Sequence, residues 1–193
     1  MIARVTTFAV DGVASRRVWV EADIRSGLPA FTVVGLADKA VREARERVRA
    51  ALVNTGFEFP LKRITVNLAP ADLRKIGPGF DLPLALALLV AGGELEPDLV
   101  EGCAVVGELS LTGDVRSVRG ALAIAEGARR HGLARLLVPR SRASEAALVP
   151  ELEVLGAGTL EHAVAEPLEV LRGEALAEAA EVLAVTGLHA CGR

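Results

Sequence analysis

From Ala121 to about Thr159 the chain alternates helix-like and strand-like segments, and this alternation restricts the fold more than any other feature. Ala121 to His131 has helical spacing and stops at Gly132. Arg135 to Val138 is a short strand closed by Pro139. Ser141 is placed to cap a helix running to about Val149, Val154-Leu155 forms a short strand, and Thr159 starts a further helix. Strands separated by helices need right-handed crossovers, so this half is expected to pair its strands in parallel.

The preceding half is richer in strands. Ala3 to Val10 and Arg17 to Ile24 read as two strands, the second with Val18, Val20 and Ala22 alternating with Trp19, Glu21 and Asp23. Asp11-Gly12 between them signals a hairpin. Phe31 to Val34 is a third strand, ended by Gly35. Asp38 can cap a helix whose apolar face is Val41, Ala44, Val48, Ala51 and Leu52, with Gly56 placed to stop it in a left-handed conformation. Ile64 to Leu68 is a strand. A loop, Ala69 to Gly79, leads into an apolar helix from about Asp81 to Ala91. Pro83 fits only the first turn of that helix, and Gly92-Gly93 end it. Its apolar run is too short to span a bilayer. A strand from about Cys103 to Leu111, the turn Thr112-Gly113-Asp114 and a short strand through Val118 read as a hairpin. The expected fold is a mixed α/β sheet, antiparallel first and parallel later, with helices packed on it. It occupies residues 1–172, and the Ala- and Glu-rich residues 173–193 read as a short helix and tail.

Composition narrows the function. The chain is 51% hydrophobic with one Trp and five Phe, so its core must be aliphatic, which argues against an aromatic base-stacking surface. A net charge of −3 excludes a globally basic nucleic-acid binder and leaves only a local patch. Cys103 and Cys191 lack metal-ligand spacing, and Cys103 reads as a buried small hydrophobe. His131, His162 and His189 are far apart. Asp72, Asp81, Asp114 and Glu108 have no spacing that demands a paired-carboxylate site; Asp81 reads as a helix cap and Asp114 as a turn residue. No metal or other cofactor is expected. The N-terminus has no signal-peptide core, and a reducing cytoplasm is the expected location.

Several long motifs occur in order: Gly27-Leu28-Pro29-Ala30-Phe31-Thr32-Val33-Val34-Gly35-Leu36, Arg45-Glu46-Arg47-Val48-Arg49-Ala50-Ala51-Leu52, Lys62 to Lys75, Phe80-Asp81-Leu82-Pro83 and Gly107 to Gly113. Together they resemble the N-terminal domain of the ComM/YifB family of Mg-chelatase-like AAA+ ATPases, over roughly residues 1 to 170. More distantly they resemble the proteolytic domain of Lon, which implies a ribosomal protein S5 domain 2-like fold. Where Lon carries its nucleophile turn this chain reads Gly77-Pro78-Gly79-Phe80-Asp81, with Gly79 in place of the serine. Where Lon carries its general-base lysine the chain has Leu122. A Ser–Lys dyad needs a hydroxyl and an amine, so the resemblance implies a domain without peptidase activity. No GxxxxGK[ST] loop is present, so ATP and Mg2+ would belong to a motor module outside these residues. The resemblance further implies a hexameric assembly, docking on its own ATPase module, work on DNA during branch migration in competence and recombination, and no membrane.

Lys62, Arg63, Arg74 and Lys75 flank the Ile64–Leu68 strand and are the candidates for DNA phosphate contact. Their alternative is ordinary charge pairing with Glu58, Asp72 or Asp81. Gly77-Pro78-Gly79 before a helix reads either as an anion site or as an inherited turn. Arg42, Arg45, Arg47 and Arg49, interleaved with Glu43 and Glu46, read as a solvated helix face. Arg129, Arg130 and His131 complement a helix C-terminus. The competing function is a purely structural oligomerisation or docking domain that touches no DNA.

Overall fold

The computed structural model of the chain describes residues 2–165 and 170–171. Alternating apolar residues drive the first two strands into a long hairpin, β1 (Ile2–Asp11) and β2 (Ala14–Arg25), turned at Gly12. Next come β3 (Ala30–Val34), α1 (Lys39–Asn54) and β4 (Arg63–Ala69). Helix α1 is capped as expected, with the Val41 amide donating to Asp38 Oδ1 at 2.9 Å. Helix α2 (Asp81–Gly92) ends at the left-handed Gly93, and β5 (Cys103–Val105) follows. The strands β6 (Glu108–Leu109) and β7 (Val115–Arg116) precede α3 (Ala121–Arg130), β8 (Arg135–Pro139), α4 (Ala143–Ala146), β9 (Glu153–Ala157), α5 (Leu160–Val164) and β10 (Val170–Leu171).

Eight strands form one sheet in the order β10-β9-β8-β5-β1-β2-β4-β3. The β1–β5, β5–β8 and β8–β9 pairs are parallel, and β1–β2 and β2–β4 are antiparallel. The mixed α/β sheet is therefore what the chain forms, with three corrections. First, β3 pairs with β4 in parallel through the α1 crossover, so the first half is not wholly antiparallel. Second, the strand expected from Cys103 to Leu111 breaks at Val106-Gly107. There the Leu82 amide donates to the Gly107 carbonyl and the Gly107 amide to the Gly79 carbonyl, which pulls β6 out of the main sheet into a ribbon with β7. Third, Ser141 caps no helix: it lies in a 3-10 turn, Arg140–Arg142, ahead of the four-residue α4. The helix and tail expected over 173–193 lie outside the described residues.

The sheet separates two apolar clusters. On one face Val5, Val20, Val66, Val105 and Leu137 pack under α1 and α2; on the other Phe8, Ala104, Leu136 and Val154 pack under α3 and α4. Helix α2 is buried on every side, including Asp81, which is why its sequence is apolar all round. No described helix is long and apolar enough to cross a membrane.

Candidate functional site

The turn that starts α2 is built by hydrogen bonds from three elements. Gly77, at φ +87°, donates its amide to Asp38 Oδ2 at 3.0 Å, so the residue that caps α1 also holds this turn. Pro78–Phe80 form one 3-10 turn, and Gly79 accepts from Gly107 at 3.1 Å. A cavity of about 440 Å³ opens beside it, walled by Gly77–Phe80, Ser117–Arg119 and Ile124. A Cβ added to Gly79 would stand 3.5 Å from Val106 and Val118 methyls, an ordinary contact, and its φ is not left-handed. The backbone thus has room for a side chain where glycine stands. Leu122 sits outside the cavity wall, 44% exposed in the first turn of α3, with its amide donating to Glu145 Oε1 at 3.2 Å. The Ser117 hydroxyl on the wall accepts from Arg142 Nε at 2.6 Å.

Two of the amides that an anion at this turn would need are already donated, Gly77 to Asp38 Oδ2 and Leu82 to the Gly107 carbonyl. Asp81 is not a cap. Arg47 Nε and Nη2 grip its two oxygens at 2.7 and 2.9 Å, the Leu109 amide donates to Oδ2 at 3.3 Å, and Arg47 Nη2 also reaches the Ala40 carbonyl at 2.8 Å. Burial pushes the Asp81 carboxyl above its ordinary range against the pull of Arg47. The hydrogen bond to Asp81 holds the Arg47 guanidinium more firmly protonated. Arg47 therefore departs from the solvated helix face expected of it. The pair ties α1, α2 and β6 together, and a lone Asp after an aromatic residue carries no sequence signal for a partner 34 positions away.

The four candidate cations do not form one patch. Lys75 is a correction: it is fully buried, its ammonium donating to the Pro70 carbonyl, and burial lowers its pKa while Asp72 pulls it back up. It closes the loop after β4, so its ammonium faces the interior instead of the exposed surface expected of it. Lys62, Arg63 and Arg74 are exposed. At roughly 3.3 Å per residue, however, β4 holds Lys62 and Arg63 about 20 Å from the loop that carries Arg74. Asp81, offered as a partner for them, is occupied by Arg47. Asp114 is the turn residue expected, accepting from Ser110 Oγ and Thr112 Oγ1 at 2.9 and 2.7 Å. Arg129 and Arg130 lie in the last turn of α3, both paired with Glu126.

Sequence reasoning missed the outer face of β2. Trp19 lies there between two guanidinium groups, Arg17 at 4.5 Å and Arg4 at 5.9 Å from its ring centre. The available signal was the period-two alternation of Arg17, Trp19 and Glu21, which places them on one side of the strand.

With this architecture in view, the class is a mixed α/β module of the Mg-chelatase type: a profile of the ChlI subunit of Mg-chelatase matches residues 20–142. The chain belongs to this Mg-chelatase-like family, together with ComM and YifB. It is 47% identical over 148 residues to an uncharacterised protein YifB of Salmonella typhimurium, covering 77% of this chain and 29% of that protein. It is 43% identical over 162 residues to the competence protein ComM of Haemophilus influenzae, covering 82% and 31%. A Lon protease of Salinispora arenicola is 27% identical over 189 residues, covering 93% and 22%. The chain thus spans about three-tenths of the length of its YifB and ComM relatives.

Proposed function

We propose that this chain is a non-catalytic N-terminal module of a ComM-type ATPase, contributing DNA contact and ring assembly to a hexameric branch-migration helicase used in competence and recombination. The observation that carries the non-catalytic part of the reading is the α2 turn. A cavity opens beside it, yet Gly79, at the position that resembles the Lon nucleophile, offers no hydroxyl, and Leu122, at the position that resembles the Lon base, offers no proton acceptor. The relatives' greater length leaves room for a motor that would supply ATP and Mg2+ chemistry, while this chain supplies surface. The location follows the same reading: a cytoplasmic protein working beside DNA.

The test has two arms. The purified chain is expected to leave unfolded casein intact. It is expected to bind labelled single-stranded or forked DNA with an affinity that falls as salt rises, because phosphate contact releases counterions. Casein cleavage abolished by substitutions around Gly79 would overturn the non-catalytic assignment, salt-insensitive DNA binding would overturn phosphate contact, and absent DNA binding would overturn DNA contact altogether.

A second reading rests on a different observation. Strand β3 is a sheet edge, and Leu28, Val34 and Leu36 beside it are 82%, 48% and 52% exposed. An apolar open edge favours pairing with another chain, and this supports the assembly role independently of DNA.

A further inference from the structure

Helices cover both faces of the sheet over β5, β8 and β9 and over the adjoining end of the β1–β2 hairpin, where α3 packs. Over β1, β2, β4 and β3 one face packs on α1 and α2. Among the described residues nothing packs on the other face beyond the end covered by α3, where Ser15 Oγ donates to the Ala123 carbonyl. Strand register lays out this open face. Arg17, Trp19, Glu21, Asp23 and Arg25 alternate along β2, with Arg4 opposite Glu21 and Arg63 opposite Arg25.

The charges on this face are unbalanced. Its two carboxylates are already bound, Glu21 by Arg4 at 2.8 Å and by Asn67 at 2.9 Å, and Asp23 by Arg25 at 2.5 Å. Arg17 and Arg63 have no carboxylate partner among the described ion pairs, so the face carries surplus positive charge on a chain whose net charge is −3. Arg17 lies over the indole of Trp19, which fixes its plane. At the α3 end a cleft of about 350 Å³ is bounded by Arg16, Arg17, Trp19 and His131.

We propose that this open face is a single-strand nucleic-acid surface running along β2: a base stacks on the indole–guanidinium column at Trp19, while Arg17 and Arg63, roughly 26 Å apart along the strand, hold backbone phosphates several nucleotides apart. The proposal rests on the DNA-contact reading and gives it a location. An aliphatic composition does not oppose it, because sequence-tolerant binding needs π-faces and cations only at the groove, and one aromatic suffices for one base. Arg guanidinium planes stack on bases as readily as they pair with phosphates. The chemistry favours single strands, whose bases are free to leave their own stack.

Trp19 is the single tryptophan of the chain, so its fluorescence reports this face alone. Titrating the 193-residue chain with unlabelled oligothymidylate at low salt should quench or shift that emission. Anisotropy of labelled oligothymidylate and of a duplex, measured in parallel, tests DNA binding as such. Trp19→Ala should weaken single-strand binding roughly tenfold, Trp19→Phe should restore most of it, and Arg17→Ala with Arg63→Ala should lower the salt slope by about two. Thermal melts of Trp19→Phe and Arg17→Ala, matching the parent, keep folding out of the comparison. DNA binding without a change in Trp19 emission, and unaltered in Trp19→Ala and Arg17→Ala, would overturn the proposal and leave DNA contact standing elsewhere. No binding to either DNA would overturn both.

Discussion

Two residues show how tertiary neighbours redefine side chains. Asp81 is fully buried and Arg47 is 23% exposed, so removing Arg47 leaves a carboxylate without its counter-charge. Arg47→Ala should cost about 3 kcal/mol of unfolding free energy at neutral pH, measured by urea denaturation. The sign with pH follows from burial, which already raises the Asp81 pKa in the fold and raises it further once the arginine is gone. Such a group favours folding below its unfolded pKa and loses that contribution as pH rises through the folded value. The variant's deficit should therefore shrink on mild acidification, and an unchanged deficit would refute the buried-charge account. Cys103 makes the converse case, because its sequence reading as a small buried hydrophobe holds: it is 2% exposed, and burial pushes its thiol up to about 11. In a Cys191→Ser background, alkylation by iodoacetamide at mildly alkaline pH should be negligible in the native chain and fast in concentrated urea.

At the scale of elements, stop signals and the caps at Asp38 and Thr159 were legible because they act within a few residues, whereas the caps expected at Ser141 and Asp81 did not form. Asp38 caps α1, Thr159 caps α5 with the His162 amide donating to its hydroxyl, and Gly93 closes α2 in a left-handed conformation. Elements whose limits depend on distant contacts were not legible, as the break at Gly107 shows. A Cβ there would stand 3.0 Å from the Leu82 and Val115 side chains, which would have to give by a few tenths of an ångström, so the close approach of β6 to α2 favours glycine. Gly35 after β3 is more constrained still, with φ +111° and the Leu68 carbonyl oxygen 2.6 Å from a built Cβ. Gly35→Ala should destabilise the chain by more than about 2 kcal/mol, since backbone cannot step aside. Gly56→Ala, at φ +85° with open space around it, should cost about 1 kcal/mol. Equal melting temperatures for the two variants would refute this ordering.

At the scale of the whole molecule, the uneven covering of one sheet decides what the protein can meet. If the β3 edge mediates assembly, Val34→Lys should shift the chain toward monomer in light scattering and leave its melting temperature near the parent's, because Val34 is already half exposed. An unchanged oligomeric state would remove that edge from consideration. The family, the mixed sheet and most helix limits were determined by the sequence alone, through ordered motifs, period-two and helical apolar spacing, and local caps. Those signals are short-ranged, so each is complete within one segment. The partner of Asp81, the burial of Lys75, the parallel pairing of β3 with β4 and the Arg17–Trp19–Arg4 column were decided only by the tertiary structure. Each joins or exposes segments that the chain keeps far apart, and hydrophobic patterning states which face is apolar without stating which element covers it.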